Sequence, residues 1–180
     1  FLFCSHDAEI EGCNRDCRHF DEDIAAWDVS LVTDMSYAFL GANRFNQPLD
    51  AWNVARVASM EGMFRNASAF NQPLGAWNVA RVTTTSHMFM DAHAFHQPLD
   101  AWDVAAVTIM HRMFDGAQAF NQPLAAWDVA RVANMDHMFD DAYAFNQPLD
   151  AWDAKVYRSQ QPFDARDPLS ALVTPPPPPP

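Results

Sequence analysis

Apolar residues recur along the chain with a fixed period of 25 residues. The tryptophans mark this period most clearly, since the chain has only six: Trp27, Trp52, Trp77, Trp102, Trp127 and Trp152. A fixed period of this length is typical of repeat proteins, in which each unit buries its apolar face against its neighbours. The pattern predicts a stack of units with these tryptophans as a core ladder.

The spacing of apolar residues within one unit predicts two elements. Trp52 and Val54 alternate as in a short strand, and the strands of successive units would pair in parallel about 4.8 Å apart. From Val57 onwards the spacing becomes three and four, which predicts a short helix, and Pro48 marks the turn. The expected fold class is an α/β solenoid, a leucine-rich-repeat-like right-handed coil with a short parallel strand and a short helix in each 25-residue repeat.

The period divides the chain into four expected segments. Residues 1–19 form a cysteine-containing N-terminal cap, 20–153 a six-coil repeat solenoid, 154–174 a C-terminal cap, and 175–180 a polyproline II tail. The caps are expected because uncovered ends of a repeat stack expose a core and strand edges that associate.

The charge balance narrows the possible partners. Eleven basic residues stand against 23 acidic ones, a formal charge of −12. This charge opposes binding to nucleic-acid phosphates and to anionic lipid. No apolar stretch approaches the roughly 18 residues of a membrane span, so we expect no membrane insertion.

The cysteines are clustered before the first repeat, at Cys4, Cys13 and Cys17. This distribution favours a disulfide-tied end cap of an exported protein, although the odd number leaves one sulfur over. A zinc site that uses His6 or His19 is a weaker alternative, because the spacing between Cys13 and Cys17 is not diagnostic.

One column of polar residues lies in the turn that precedes each proline: Asn46, Asn71, His96, Asn121 and Asn146. The backbone groups of a repeated turn must be paired, so this column predicts a hydrogen-bonded ladder in preference to a row of ligand-binding groups.

Two further columns of carboxylate and amide side chains would line the outer strand face. They are Asp50, Asp100 and Asp150, and Asp28, Asn53, Asn78, Asp103, Asp128 and Asp153, with Arg56, Arg81 and Arg131 nearby. Such a stripe fits calcium or a basic partner, but no unit gathers the six or more oxygens that calcium prefers. We favour a solvated face with weak local ion pairs.

The histidines give no catalytic pattern. His87, His93, His96, His111 and His137 occupy different repeat positions, and no serine or cysteine has a histidine at a fixed relation to it. The glycines are isolated, so a phosphate-binding loop is not predicted. We expect no enzyme activity, no cofactor and no metal site.

Two signals predict covalent modification. Asn66-Ala67-Ser68 is an N-glycosylation sequon. The terminal prolines can act as a spacer or as a ligand for an aromatic groove. They also fit a hydroxylated and O-glycosylated stalk of the kind found in algal and plant surface proteins, which this run resembles. These glycosylation candidates are Asn66, Pro175, Pro176, Pro177, Pro178, Pro179 and Pro180.

The repeat string F-N-Q-P-L-x-x-W-[DN]-V-x-x-V-x-x-M-x-x-M-F-x-x-A resembles the BspA-like leucine-rich-repeat surface proteins, a 25-residue repeat family of mycoplasma lipoproteins, protists and algae. The resemblance extends from Phe20 to Asp153, with Asp23 in place of the first proline and Thr85 in place of a methionine. It implies an extracellular or cell-surface solenoid that serves adhesion, recognition or the building of surface structures, without catalytic residues.

These observations lead to one expected function and one alternative. We expect a non-enzymatic extracellular structural repeat glycoprotein, a building block of a surface coat, matrix or filament, whose partners are other copies of itself or other surface proteins and glycans. The alternative is an adhesin or receptor-type recognition module that binds protein or glycan through the solenoid face, around Asp103, Asp128 and Arg131.

Overall fold

The computed structural model describes residues 17–152. These residues comprise five complete repeat units and the beginning of a sixth, here numbered 1 to 6: 20–44, 45–69, 70–94, 95–119, 120–144 and 145–152. The predicted C-terminal cap, the proline tail and most of the predicted N-terminal cap lie outside the described residues.

Regular secondary structure is scarce in residues 17–152. They contain a 3₁₀ helix at Cys17–His19 and, outside it, isolated parallel bridges between successive units. The bridges pair Asp34 with Ser59, Ser59 with Thr84, Thr84 with Ile109, and Ile109 with Asn134. The predicted α/β solenoid, with a leucine-rich-repeat-like strand and helix in every unit, is therefore wrong. Turns replace both elements.

Two columns of residues with positive φ explain why the predicted helix does not form. The columns are Tyr37, Gly62, His87, Arg112 and His137, and Gly41, Asn66, Asp91, Gly116 and Asp141, with φ between 52° and 71°. A left-handed residue interrupts a right-handed helix, because its neighbouring N–H and C=O groups no longer point along one axis. The Met and Phe side chains keep a helix-like spacing, but the backbone between them is a series of turns.

The backbone of this segment bonds to the next unit instead of to itself. Phe39 N donates to Met63 O at 2.8 Å, and Gly41 N donates to Arg65 O at 2.8 Å. Alternate N–H groups make the equivalent bonds from units 2, 3 and 4. A bond in the opposite direction, from Ala58 N to Thr33 O at 2.8 Å, also recurs in units 3, 4 and 5. The units are consequently joined in sequence order through their main chains.

Phenylalanine rings fill the centre of each unit. Phe64 and Phe70 have centroids 4.1 Å apart, and Phe64 stacks on Phe89 of the next unit at 5.7 Å. All three side chains are fully buried. Burying one such ring contributes about 1.5–3 kcal/mol, and an aromatic pair adds about 0.5–1.5 kcal/mol. The core is therefore one continuous column across the units.

The tryptophans bridge neighbouring units by a hydrogen bond as well as by burial. Trp77 Nε1 donates to Leu49 O at 2.9 Å, and Trp102 Nε1 donates to Leu74 O at 2.9 Å. The same indole-to-carbonyl bond is made by Trp52, Trp127 and Trp152. Trp27, in the first unit, differs because it is 45% exposed.

Candidate functional site

The predicted ladder of turn residues is confirmed. Asn71 N donates to Asn46 Oδ1 at 2.9 Å, and the same oxygen accepts Gln72 Nε2 at 3.1 Å. Asp21 takes the first position, where its Oδ1 accepts Asn46 N at 2.9 Å. Each side chain of this ladder therefore pairs the turn of the following unit, so the ladder is part of the framework.

His96 is the one imidazole in the ladder. Its backbone N–H donates to Asn71 Oδ1 at 2.9 Å, as an asparagine would. On the other side its Nδ1 accepts Asn121 N at 3.2 Å, while Gln122 Nε2 lies 3.0 Å from its Nε2. An amide oxygen can accept two hydrogen bonds, whereas a neutral imidazole has one acceptor nitrogen, so this rung differs chemically from the others.

The side chains of the second predicted acidic column accept hydrogen bonds from main-chain N–H groups of their own turns. Asp103 Oδ1 accepts Ala105 N at 3.2 Å, and Asp128 Oδ1 accepts Ala130 N at 3.1 Å. Asp28, Asn53 and Asn78 make the same bond two residues ahead. For Asp28, hydrogen bonds from the Ser30 side chain and backbone lower the pKa of the carboxyl. These groups serve as Asx-turn acceptors, a use that needs no ligand.

The remaining members of the predicted stripe are exposed at the surface. Asp50, Asp100 and Asp150 are exposed, as are Arg56, Arg81 and Arg131. Across the part of the chain that the structure describes, no three His, Cys, Asp or Glu side chains are grouped to hold a metal ion.

A different surface collects the ionisable side chains that vary between units, in the segments with positive φ. We call it the ionisable face; it consists of Tyr37, Glu61, Arg65, His87, His111, Arg112, Asp115, Asp136, His137 and Asp140. The rings of His87 and His111 are edge-to-face with centroids 5.0 Å apart, and His111 and His137 follow at 5.9 Å.

Polar contacts hold several of these side chains in place. Arg112 Nη1 donates to Asp115 Oδ2 at 2.7 Å, and His137 Nδ1 lies 2.7 Å from Asp140 Oδ2. The Tyr37 hydroxyl donates to a Glu61 carboxylate oxygen of the next unit.

Burial is the largest cause of the pKa shifts of several side chains on this face. Desolvation, assisted by the Glu61 hydrogen bond, raises the pKa of Tyr37 to about 12. Desolvation lowers the pKa of His87, and the neighbouring His111 and Arg65 act in the same direction. It also raises the pKa of Asp115, against the opposing effect of Arg112. Burial also lowers the pKa of His111, so the neutral imidazole is favoured at His87 and His111.

A polar groove of about 290 Å³ lies beside the second column of positive-φ residues. Its lining is Arg18, Gly41, Asn43, Asn66, Ser68, Asp91 and His93. With its amide turned, Asn43 donates to Gly41 O and Asn66 O, which leaves its side-chain oxygen as an acceptor. Asp91 adds a carboxylate 3.9 Å from His93 Nε2. The groove thus combines hydrogen-bond acceptors on Asn43 and Asp91 with donors on the cationic Arg18 and on neutral side chains such as Ser68.

Of the predicted modification and disulfide sites, Asn66 and Cys17 lie within the described residues. Asn66 has a positive φ of 59° and is half-buried in the groove, while Ala67 of its sequon is fully buried. Cys17 is disulfide-bonded. Cys4 and Cys13 lie outside the described residues, as do the prolines from Pro175 to Pro180, so the pairing and the glycan sites stay predictions.

Sequence reasoning missed the columns of positive φ and the groove that they border. A signal was present, because the second column reads Gly41, Asn66, Asp91, Gly116 and Asp141. Glycine, asparagine and aspartate are the residues that most readily adopt a left-handed conformation. Their recurrence in one repeat position indicates a turn in every unit where the apolar spacing suggested a helix.

Comparison with known proteins supplies the family. No curated protein and no solved structure matches the chain. No helix of residues 17–152 is both long and apolar enough to cross a membrane.

The family model described as Mycoplasma protein of unknown function, DUF285, matches residues 8–114 and 75–170, which together cover most of the chain. Membership suggests a surface protein. The chain belongs to this DUF285 family, the BspA-like repeat surface proteins of mycoplasma type.

Proposed function

We propose that this protein is a non-enzymatic structural repeat module of a cell surface or extracellular matrix, which associates with copies of itself or with other surface proteins and glycans. The observation that carries the proposal is the identical joint between units. Each buried tryptophan from Trp52 to Trp152 donates to the main-chain carbonyl 28 residues before it.

Identical joints suit a spacer, because each added unit extends the same core with the same packing contacts. The repeated side chains of the ladder and of the aromatic columns are engaged between units. The side chains that vary between units, together with the exposed columns of Asp50 and Arg56, are left to face a partner. Membership of a surface repeat family supports an extracellular location.

Removal of one whole unit tests the proposal. Deletion of residues 70–94 from the full chain keeps the 25-residue register, so the remaining joints can re-form. We expect the variant to reach the surface of intact cells, as shown by external protease digestion, and to leave a surface layer that is thinner by electron microscopy. A deletion of residues 70–81 is the matched control, because it breaks the register. An unchanged surface in cells that lack the protein altogether would contradict the structural role.

The polar groove favours a second function, the recognition of a polar ligand such as a glycan. Asp91 and Asp141 occupy the same repeat position with similar positive φ values of 56° and 52°, but only Asp91 lines the groove. Asp91→Asn should abolish binding on an array of neutral and acidic glycans, and Asp141→Asn should preserve it. Equal binding by both variants would exclude the groove as the site.

A further inference from the structure

The junction between units 4 and 5 differs from the other junctions at one ladder rung. In a normal rung one amide oxygen accepts two hydrogen bonds, as Asn121 Oδ1 does from Asn146 N and Gln147 Nε2, both at 2.9 Å. At the preceding rung His96 Nδ1 accepts Asn121 N at 3.2 Å. Gln122 Nε2 donates to His96 O at 2.9 Å, the main-chain bond that the glutamines of the other rungs also make, but no side-chain oxygen is present to accept a second bond.

The chemistry of imidazole makes this rung dependent on protonation. Neutral imidazole has one acceptor nitrogen, and the contact with Asn121 N assigns that role to Nδ1. The proton is then on Nε2, which meets the amide nitrogen of Gln122 at 3.0 Å as donor against donor. Imidazolium has no acceptor at all, so protonation leaves the Asn121 N–H without its partner.

The surroundings of His96 do not offset this loss. The rung neighbours Asn71, Gln97, Asn121 and Gln122 are uncharged. Within residues 17–152 His96 forms no ion pair with an acidic side chain.

The ionisable face of the same junction responds to acid in the same direction. His111 of unit 4 lies against His137 of unit 5. Burial lowers the pKa of His111, and the charges of Arg112 and His137 lower it further, while Asp136 opposes them. The other charged groups of this junction are Asp115, whose Oδ2 accepts Arg112 Nη1 at 2.7 Å, and Asp140, which lies 2.7 Å from His137 Nδ1. Because the folded state lowers the pKa of His111, protonation of this imidazole in acid destabilises the junction as well.

We propose that the junction between units 4 and 5 is an acid-sensitive joint, in which protonation of His96 releases the Asn121 N–H and loosens this rung while the amide rungs on either side stay closed. The rung is closed at neutral pH and locally weaker in an acidic environment.

Amide hydrogen exchange of the full chain, followed by NMR and corrected for intrinsic exchange rates, tests the proposal. Between about pH 8 and about pH 5 the protection factor of the Asn121 amide should fall about five- to tenfold, because one hydrogen bond to a main-chain N–H is lost. The Asn71 and Asn146 amides, which donate to asparagine oxygens at 2.9 Å, should keep their protection.

His96→Asn is the matched variant, because it restores the residue found at the other rungs. It should remove the acid-dependent loss at Asn121 and leave Asn71 and Asn146 as before. Two results would overturn the proposal: a loss at Asn121 that persists in His96→Asn, or protection at Asn121 that follows Asn146 at every pH.

Discussion

In the repeated columns the side chains bond to a neighbouring unit, whereas four side chains of the ionisable face form ion pairs within their own unit. Trp77 and Trp102 each reach a leucine carbonyl of the preceding unit at 2.9 Å. Arg112 instead pairs with Asp115, and His137 with Asp140, three residues along the same chain segment. The columns hold the units together, and the within-unit pairs of the face can vary because the stacking does not depend on them.

The largest expected loss of stability comes from replacing a buried tryptophan of the column, compared with the exposed tryptophan of the first unit. Trp102→Ala should lower the free energy of unfolding by about 3–5 kcal/mol, because it empties a buried site and removes one of the two hydrogen bonds that Leu74 O accepts. Trp27→Ala should cost much less, since Trp27 is 45% exposed. Urea unfolding of both variants measures the difference. Similar losses would mean that the first unit depends on its tryptophan as much as the interior units do.

The ladder should show a smaller effect. Asn71→Ala removes an oxygen that accepts His96 N at 2.9 Å and Gln97 Nε2 at 3.0 Å, and we expect a loss of about 1–2 kcal/mol. Asn71→Asp keeps the acceptor oxygens, as Asp21 does in the first rung, and should be close to neutral. Thermal unfolding compares the two. A harmless alanine would show that water replaces the ladder bonds.

One interruption of a column can be repaired. Thr85 stands in a methionine column, is 2% exposed, and has a buried hydroxyl oxygen that forms no hydrogen bond. Thr85→Met should stabilise the protein by about 1 kcal/mol, because it removes an unsatisfied polar group and fills the site. The reverse change in the next unit, Met110→Thr, should destabilise it. Denaturant midpoints of the pair decide the sign.

The ionisable face should contribute the smallest effect, through pH. The pKa values of His87 and His111 are lowered in the folded state, so the unfolded chain binds more protons and stability falls as the pH drops through the ordinary histidine range near about 6.5. Replacing both histidines by glutamine in the His96→Asn background should flatten this dependence. Thermal midpoints from about pH 8 to about pH 5 report it, and a slope that survives the replacements must come from other groups.

Much of the packing could be predicted from the sequence, because burial follows the period of apolar residues regardless of backbone conformation. The recurrence of Phe64, Trp77 and their counterparts predicted a stack of units in chain order, and the asparagine column predicted the ladder. Apolar spacing does not report φ, however, and the spacing of three and four after Val57 fits a helix as well as a series of turns.

The sequence alone determined the period, the aromatic content of the core and the family, since these depend only on which residues recur. The tertiary structure decided where the main-chain hydrogen bonds go. Residues such as Tyr37 and Arg112 adopt positive φ although their type does not favour it, because their N–H groups then bond to the next unit. Such bonds exist only between stacked units, so their geometry is set by the neighbouring unit rather than by the local sequence.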